Sequence, residues 1–368
     1  MKLTFNRSAL SDALALLTGV VPARTPKPIL HCVRIDAHEK DVHIHATDLE
    51  VGIDYTVSGV QVEEQGQTVV QADKLAAIVR ESSDDVLKLQ ATDVSCEITG
   101  TDSHFTIYSQ AAKDYPMVPG FEGKPDIEVA LDKLQGGIEQ CLFATARESS
   151  RYAINGVLWE VQGKKLLLVA TDGRRLARSR VVLSSGAAED VAAQRVIVPA
   201  KTMSLLGKIG AHDKEKVAVK LVDNQVLLRC ADVVVSSNLV EGKFPNYEDI
   251  IPTSYSRKLS LSTNAVLSAV RRAALLTSEE SRGIKLSIST GSLVFSARAP
   301  ETGDAQVNVA IDYKGEAMQI GFNPQFLIDA LRVIGTPEFE MELGEPDRPG
   351  LIRSGPDFLY VLMPINLA

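Results

Sequence analysis

The stretch 165–177 reads KLLLVATDGRRLA, and its tripeptide Ala170-Thr171-Asp172 has an earlier copy, Ala46-Thr47-Asp48, in the first third of the chain. Both copies follow an apolar run that is typical of a β-strand. A sequence that returns in the same setting indicates an internal repeat, and a repeat determines the whole architecture. At 368 residues the chain has room for three units of ordinary domain size.

Each third of the chain predicts the same order of elements: a helix, a pair of strands, a second helix and further strands. The helical spacing of apolar residues predicts first helices over 6–21, 131–146 and 262–276, and second helices over 72–80, 199–209 and 323–334. Strand pairs are predicted over 32–35 with 42–44, 156–161 with 165–170, and 284–288 with 293–297. Asn6, Ser262 or Thr263, and Asn323 followed by Pro324 are the expected helix starts.

The three units also end alike. An aromatic or apolar residue beside proline closes each of them, at Tyr115-Pro116, Phe244-Pro245 and Met363-Pro364. The segments 113–125 and 245–256 are rich in proline, glycine and charge, so they are the expected boundaries. We therefore predict an α+β fold of three tandem domains over 1–120, 126–250 and 257–368. Such elements can also recur by chance, but their shared order, spacing and closing motif favour a repeat.

The composition is that of a soluble globular protein with a large core, since hydrophobic residues form 45% and charged residues 23% of the chain. Cys32, Cys96, Cys141 and Cys230 are far apart, which predicts reduced thiols in the core rather than a metal or redox motif. The first residues lack the apolar run of a signal peptide, and no stretch is long and apolar enough to span a bilayer. We therefore expect a cytoplasmic protein.

The net charge of −8 argues against a uniformly basic surface of the kind that holds nucleic acid. The predicted helices nevertheless contain more basic than acidic residues, so the rest of the chain is strongly acidic. A face formed by the helices is then the one surface that would tolerate a polyanion. Ordinary solvated charge is an equal alternative for each candidate on that face. The candidates are Arg24, Lys74, Arg80, Arg147, Lys201, Arg271 and Arg272.

The familiar sequence signatures of catalysis do not occur in this chain. The segment 120–124 lacks the spacing of a phosphate loop, and serine-hydrolase and zinc-protease motifs are missing. His43 and His45 share one face of a predicted strand near Asp48, and we interpret them as cross-strand partners rather than a metal site. Arg174 and Arg175 follow a predicted turn where they could grip an anion, so a phosphate-binding enzyme is a second hypothesis. No cofactor or metal is predicted.

Several motifs, taken in order along the chain, resemble the bacterial DNA sliding clamps, the beta subunits of the replicative DNA polymerase III holoenzyme. They are PIL at 28–30, ATDLE at 46–50, NG at 155–156, VATDGRRLA at 169–177, FPNY at 244–247, IGFN at 320–323 and YVLMPI at 360–365. Each motif alone is weak, but together they cover essentially the whole chain. The resemblance implies three DNA-clamp domains, each with two helices packed on antiparallel sheets, and no catalytic site.

The resemblance also implies a head-to-tail homodimer, a six-domain ring with helices around a central hole and sheets outside. Duplex DNA would pass through the hole, held without sequence-specific contacts. The implied function is that of a DNA polymerase processivity factor. The implied partners are duplex DNA, the polymerase catalytic subunit, the clamp loader and other proteins with a clamp-binding motif. A DNA-binding module that is not a clamp is a third hypothesis.

Members of this family capture short linear peptides in an apolar pocket between domains. A flexible methionine such as Met363 would let the pocket adapt to different partners. For apolar members such as Leu176 and Ile250, a place in the ordinary core is an equal alternative. Carried over motif by motif, the pocket residues are Arg151, Ile154, Thr171, Gly173, Arg174, Leu176, Pro245, Ile250, Asn323, Phe326, Val361, Met363, Pro364 and Ile365.

The resemblance implies a dimer interface that joins an edge strand of the first domain to the end of a third-domain helix. Its residues are Phe105 and Ile107 on the strand, and Leu275 and Leu276 on the helix. The chain departs from the family pattern at Arg174, where histidine is frequent. This departure implies a more cationic pocket rim and a more acidic preferred peptide. Smaller departures occur at Asn366, where a basic residue is common, and at Ala368, which extends the tail.

Overall fold

The computed structural model describes residues 1–147, 153–185, 195–210, 215–277 and 283–366. Its strands follow one another along the chain in three series. The first series is β1 (Lys2–Asn6), β2 (Cys32–Ala37), β3 (Val42–Thr47), β4 (Val51–Val57), β5 (Gln61–Glu64), β6 (Gly66–Gln71), β7 (Val86–Ala91), β8 (Ser95–Thr99) and β9 (His104–Tyr108). The second is β10 (Ile127–Ala130), β11 (Gly156–Gln162), β12 (Lys165–Thr171), β13 (Arg175–Val182), β14 (Arg195–Pro199), β15 (Lys216–Val222), β16 (Gln225–Cys230) and β17 (Val233–Asn238). The third is β18 (Arg257–Ser262), β19 (Ile284–Ser289), β20 (Ser292–Ala299), β21 (Gly303–Ala310), β22 (Met318–Phe322), β23 (Glu338–Leu343), β24 (Gly350–Ser354) and β25 (Phe358–Leu362).

The helices occur in pairs, as the repeat predicts. They are α1 (Arg7–Leu17), α2 (Ala72–Glu81), α3 (Leu131–Leu142), α4 (Ala200–Leu206), α5 (Thr263–Ala273) and α6 (Pro324–Val333). Helix α1 buries Leu10, Leu14 and Leu17, which lie on one face because they are three or four residues apart. Burial of each such side chain stabilises the fold by roughly 1.5–3 kcal/mol.

The first helix of each repeat ends earlier than the apolar spacing predicts. The helices predicted over 6–21 and 131–146 stop at Leu17 and Leu142. The helix predicted over 262–276 ends at Ala273 and continues as a 3₁₀ turn. Near each of these ends a threonine hydroxyl donates to the carbonyl of a residue three or four positions earlier, a local bond that competes with further helix. The pairs are Thr18 with Leu14, Thr145 with Leu142, and Thr277 with Ala274.

Two of the expected helix caps are present and one is different. Asn6 Oδ1 accepts from the amide of Ala9, and Asn323 Oδ1 accepts from the amide of Gln325. Ser262 precedes α5 but makes no capping hydrogen bond with its side chain. The hydroxyl of Thr263 donates instead to the carbonyl of Thr336 at 2.8 Å, which ties the start of α5 to a loop of the same repeat.

The described residues divide into two compact units, and each unit contains one eight-stranded antiparallel sheet. The first unit comprises Met1–Asp132, residues 183–185 and Lys201–Leu239. Its large sheet has the order β10-β15-β16-β17-β4-β3-β2-β6, and a five-stranded sheet has the order β5-β1-β7-β8-β9. Helices α1 and α2 pack against each other in this unit.

The second unit comprises the described parts of Lys133–Val182 and Val240–Ala368, together with residues 195–200. Its large sheet has the order β14-β11-β12-β13-β25-β24-β23-β18, and a four-stranded sheet has the order β21-β20-β19-β22. Helices α5 and α6 pack against each other here. The predicted fold class, three tandem mixed α/β repeats with helices on antiparallel sheets, is therefore confirmed.

Each large sheet takes half of its strands from one repeat and half from the next. In the first unit β17 pairs with β4, and in the second unit β13 pairs with β25. The chain consequently clusters into two units, although its sequence repeats three times. The boundaries 1–120, 126–250 and 257–368 describe the repeat and stay a prediction.

Candidate functional site

The site begins at the turn between β12 and β13, where the repeated tripeptide lies. The hydroxyl of Thr171 donates to the carbonyl of Arg175 at 2.6 Å and accepts from the amide of Gly173 at 3.1 Å. Asp172 Oδ1 accepts from the amides of Arg174 and Arg175 at 2.9 and 3.1 Å. Gly173 has a φ of +85°, a conformation that glycine adopts without strain. The sequence therefore builds a closed turn whose tip carries Gly173 and Arg174 into solvent.

Arg175 is drawn into the protein instead of facing solvent, with only 11% of its side chain exposed. Its guanidinium donates to Asp172 Oδ2 at 3.0 Å, to Asp329 Oδ2 on α6 at 2.7 Å and to the carbonyl of Phe143 at 2.7 Å. It also lies over the ring of Phe326, 4.3 Å from the centroid. One side chain thus joins the turn, α6 and the segment after α3.

The ionisation states around this network are fixed by burial and by the partners. Burial by itself lowers the pKa of Arg175, but the hydrogen bond to Asp329 and nearby charges raise it above its ordinary value. Burial raises the pKa of Tyr360 far above that of an exposed tyrosine. The neutral Tyr360 hydroxyl donates to the carbonyl of Phe326 at 3.0 Å, which anchors β25 to α6.

The C-terminal segment is bound firmly beside the turn. Leu176 of β13 pairs with Val361 of β25, and the amide of Met363 donates to the carbonyl of Arg174 at 3.0 Å. Further on, the amide of Ile365 donates to the carbonyl of Gly321 at 2.9 Å. Chain ends fray unless they are held in this way. The apolar ending predicted for the pocket is therefore an ordered wall.

The apolar members of the predicted pocket have two different environments. Ile154, Leu176 and Val361 belong to one buried cluster. Met363 is 40% exposed and Ile250 is 37% exposed. Ile251, which the sequence did not single out, is the linker residue that packs against the cluster.

The remaining predicted pocket residues are distributed around the turn. Thr171 is buried in the turn, Asn323 serves as the cap of α6, and Phe326 lies under Arg175. Pro245, Pro364 and Ile365 are half-buried. Arg151 lies outside the described residues. The structure thus brings together members from the turn, the terminal strand and α6, while sequence reasoning missed Arg175, Asp329 and Tyr360, which hold these walls.

The second hypothesis, an anion-binding enzyme, depended on Arg174 and Arg175 as a pair, and it is wrong for a physical reason. Arg175 points inward, and two carboxylates and a carbonyl occupy its guanidinium. Arg174 is left as a single exposed cation. One exposed arginine without a nucleophile or a base does not make a catalytic site.

The two histidines on β3 form cross-strand pairs. His43 Nδ1 lies 2.9 Å from Asp54 Oδ1, and His45 Nε2 lies 3.3 Å from Asp36 Oδ2. Their rings stack with centroids 6.0 Å apart. Within the described part of the chain, no group of three or more potential ligands is arranged to hold a metal ion. The contacts of the two histidines with Asp54 and Asp36 agree with the interpretation of cross-strand partners.

The basic residues predicted to face DNA fall into two classes. One class is exposed: Lys74, Arg80, Arg271 and Arg272 lie on helices α2 and α5, and Arg24 and Arg147 lie in the segments that follow α1 and α3. The other class is Lys201 alone, whose ammonium donates to Asp48 Oδ2 at 2.5 Å and to the carbonyl of Val20 at 2.8 Å. The charge of Lys201 is therefore compensated by Asp48, although 38% of the lysine side chain is exposed.

The residues of the predicted dimer interface lie on unpaired edges or ends. Strand β9 is an edge of the five-stranded sheet, and its Phe105 is 40% exposed while Ile107 is half-buried. Leu275, in the 3₁₀ turn after α5, is 79% exposed, and Leu276 beside it is half-buried. Strand β21 is likewise an edge of its sheet.

No helix among the residues that the structure describes could cross a membrane.

Three family models match successive parts of this chain. The N-terminal domain of the DNA polymerase III beta subunit matches residues 1–119, the central domain matches 128–246, and the C-terminal domain matches 248–366. A curated relative, the beta sliding clamp of Pseudomonas aeruginosa, is 32% identical over 370 residues, with 100% of each chain covered. The beta sliding clamp of Chlamydia muridarum is 28% identical, with 100% of this chain and 99% of the relative covered.

Solved structures agree with these matches. The DNA polymerase sliding clamp of Bacillus subtilis has a TM-score of 0.92 at 28% identity, and 100% of both chains is covered. A DNA polymerase III beta subunit of Pseudomonas aeruginosa bound to griselimycin has a TM-score of 0.91 at 31% identity, again over 100% of both chains. From end to end, the chain therefore belongs to the DNA polymerase III beta-subunit family, the beta sliding clamps, which are processivity factors without catalytic activity of their own.

Proposed function

We propose that the chain forms a head-to-tail homodimeric ring around duplex DNA and tethers DNA polymerase III to its template through a peptide pocket at the turn 171–175. The family membership gives the DNA and polymerase partnership. The ring, the pocket residues and the further partners are our proposal. The proposed pocket is supported above all by the ordered C-terminal segment, which holds an exposed Met363 beside the buried Leu176 and Val361.

The pocket suits a short linear peptide with apolar anchors. Met363 offers a flexible apolar contact, and the buried cluster beneath it gives a rigid floor. Arg174 at the exposed tip adds one positive charge, which favours an acidic residue in the peptide. The polymerase catalytic subunit, the clamp loader and other proteins with a clamp-binding motif would compete for this surface.

The contacts with DNA are proposed to be few and weak. Arg24, Lys74, Arg80, Arg147, Arg271 and Arg272 are available to phosphates because their side chains are exposed, and the ion pairs of Lys74 with Asp73 and of Arg80 with Glu81 are exposed as well. Lys201 is not available, because its ammonium is paired with Asp48. Contacts with phosphates carry no sequence information and are screened by salt, so they permit sliding. With this assignment the ring would act at the nucleoid, in the cytoplasm.

The dimer is proposed to form through the exposed apolar edges. Phe105 and Ile107 on β9 would pack against Leu275 and Leu276 of the partner. An edge strand with exposed apolar residues pairs readily with another chain. Such a head-to-tail contact repeats itself and closes into a ring when the rotation allows it.

A comparison of circular and linear DNA tests the ring. The clamp is loaded onto nicked circular DNA by its clamp loader, separated from free protein at high salt, and the circle is then cut once. We expect the clamp to remain on the intact circle and to leave after the cut, because a ring is retained by topology rather than by affinity. Equal retention on circular and linear DNA would contradict the ring and favour an ordinary DNA-binding module.

A further inference from the structure

The turn that supports the proposed pocket is built a second time, in the first unit, between β3 and β4. Thr47 Oγ1 donates to the carbonyl of Val51 and accepts from the amide of Leu49, both at 2.9 Å. Asp48 Oδ1 accepts from the amides of Glu50 and Val51 at 2.9 and 2.7 Å. These are the hydrogen bonds of the turn 171–175, residue for residue. The internal repeat has therefore preserved a complete backbone frame.

The residues around this second frame are smaller or more polar than their counterparts around the turn 171–175. Gly52 pairs with Ser236 in the first unit, where Leu176 pairs with Val361 in the second. Asn238 ends β17, at the position that corresponds to Met363 after β25. Apolar positions of one frame are thus small or polar in the other. A Cβ atom at Gly52 would lie 2.8 Å from Ser236 Oγ, so only glycine fits here without displacing a neighbour.

A cavity of about 130 Å³ lies beside this second frame, the turn 47–51. Its lining includes Gln225, Ser236 and Asn238, together with Leu49 and Met117. Gln225 Nε2 donates to Asn238 Oδ1 at 2.8 Å, which fixes the two side-chain amide groups of these lining residues relative to each other. An engineered apolar cavity of about 150 Å³ takes up a benzene molecule, so the volume suits one side chain of moderate size.

Leu49 occupies the place of Gly173 in the turn 47–51 and shares its left-handed backbone conformation. Its φ is +80°, in the left-handed region where the equivalent residue of the other turn is glycine. The leucine gains little from burial, because it is 48% exposed, and the neighbouring lining residue Met117 is 90% exposed. Two exposed apolar side chains in the lining of one cavity form a surface that an apolar group of a ligand can cover.

The charge at the rim is opposite to that of the other turn. Glu50 occupies the place of Arg174, the third residue after the repeated alanine-threonine start. The charge of Asp48 is neutralised by Lys201 at 2.5 Å, whereas Glu50 makes no ion pair with any described residue. The cavity therefore presents one unpaired carboxylate, which favours a cationic group.

We propose that this cavity is a second peptide site, which binds a short extended segment containing a basic residue, a small polar residue and an apolar residue. The basic residue pairs with Glu50, the polar side chain enters the cavity, and the apolar side chain covers Leu49 and Met117. The inference rests on the proposed function in one respect, because it takes the repeated turn as a frame for extended peptides. The two sites select opposite charges and different anchors, so one molecule can hold two partners at once.

Methionine methyl NMR separates the two sites, because Met117 reports on one and Met363 on the other. The full-length protein is labelled with ¹³C at the methionine methyl groups, and Met117→Leu and Met363→Leu identify the two signals. The probe is the peptide acetyl-Lys-Asn-Leu-amide, and its matched control is acetyl-Glu-Asn-Leu-amide. We expect the basic peptide to shift the Met117 signal and leave Met363 unchanged, with saturation at about 1 mM or below. The acidic peptide should bind at least about tenfold more weakly, since a factor of ten corresponds to about 1.4 kcal/mol.

Two variants make the test decisive. Leu49→Gly suits the left-handed backbone, so the melting temperature should not fall while the Met117 response is lost. Glu50→Lys should reverse the preference between the two peptides. A Met117 signal that does not move, or that moves equally in Leu49→Gly, would overturn the second site. A Gln-Leu-x-Leu-Phe-type peptide that fails to shift Met363 would instead refute the proposed function, independently of the result at Met117.

Discussion

Arg175 shows how one residue can determine the shape of a site that it does not enter. Its guanidinium satisfies Asp172 in the turn, Asp329 on α6 and the carbonyl of Phe143. These three partners belong to separate parts of the chain, and Asp329 is 154 positions away. In the low dielectric of the interior, a network of this kind fixes distances between its members. The walls of the proposed pocket therefore keep their spacing before any peptide arrives.

Replacing Arg175 with alanine should cost both stability and peptide binding. Loss of one partner from a buried ion pair leaves a carboxylate without compensation, so we expect the free energy of unfolding to fall by about 3–5 kcal/mol. Urea unfolding measures this loss. Affinity for a Gln-Leu-x-Leu-Phe-type peptide, measured by fluorescence anisotropy, should fall as well.

Arg174→Ala is the matched control, since Arg174 is exposed and its neighbour is not. It should leave unfolding nearly unchanged and reduce binding only of peptides with an acidic residue. If Arg175→Ala kept the affinity of the parent protein, the network would have no part in positioning the pocket.

The cysteines behave as core side chains, which is a second property set by single residues. Cys32, Cys96, Cys141 and Cys230 are free and buried. Burial raises the pKa of Cys32 to about 11 and the pKa of Cys96 and Cys230 to about 12. Burial raises the pKa of Cys141 as well. Because the thiolate is the reactive form, the folded protein should present very little of it at pH 8.

We expect iodoacetamide to leave the four thiols unmodified in the folded protein at pH 8, as read by intact-mass spectrometry. In urea all four should react. The raised pKa values of the thiols also predict that the protein loses stability at alkaline pH. Each thiol contributes stability that is complete below the unfolded pKa of about 8.5 and is lost as the pH rises towards the folded value. Rapid modification of any cysteine under native conditions would contradict its buried position.

At the scale of the element, the helix starts show which predictions a sequence supports. Asn323 was expected to cap α6 and does so, because the capping signal and the helix lie within a few residues of each other. Ser262 carries the same kind of signal, yet its hydroxyl does not cap α5. The neighbouring Thr263 bonds to a loop that is distant in sequence, and a contact of that range leaves no local pattern.

Asn323 caps its helix and Ser262 does not, so the two residues give a matched pair of variants. Asn323→Ala should destabilise the protein by about 1 kcal/mol, because an amide of the first turn loses its acceptor. Ser262→Ala should have almost no effect on stability. Differential scanning calorimetry of both variants measures the contrast, and equal losses would show that the capping bond of Asn323 contributes nothing.

The strands show the limit of local reasoning more clearly. Alternating apolar residues correctly predicted β2, β3, β11, β12, β19 and β20, because each of these strands faces a core on at least one side. The pairing of β17 with β4, and of β13 with β25, was not predicted. Periodicity identifies a strand but carries no information about which distant strand becomes its neighbour. The second frame and its cavity stayed hidden for the same reason.

At the scale of the whole molecule, the repeat and the family could be read from the sequence, because motifs spread over three thirds of the chain are jointly specific. The charge on individual residues could not be assigned in the same way. Lys201 belongs to a basic helical segment, but its ammonium is used to neutralise Asp48. A count of charges cannot distinguish such a structural lysine from one that is free to meet a phosphate.

The proposed dimer gives a prediction that concerns the assembly. Phe105→Ala combined with Leu275→Asp should convert the dimer into a monomer at micromolar concentration, since an apolar interface loses one anchor and gains a charge. Size-exclusion chromatography with light scattering measures the mass. Val222→Ser, an exposed apolar residue on β15, should leave the dimer intact. A dimer that survives the double substitution would place the interface elsewhere.

The pairing of strands across the repeat boundaries also has a mechanical consequence. Because β17 is hydrogen-bonded to β4 and β13 to β25, a force that separates consecutive repeats must break a whole ladder of backbone hydrogen bonds. The boundaries that look like flexible linkers in the sequence are therefore the stiff joints of the chain. When a replication machine pulls on this protein, the boundaries between its repeats should be the last places to yield.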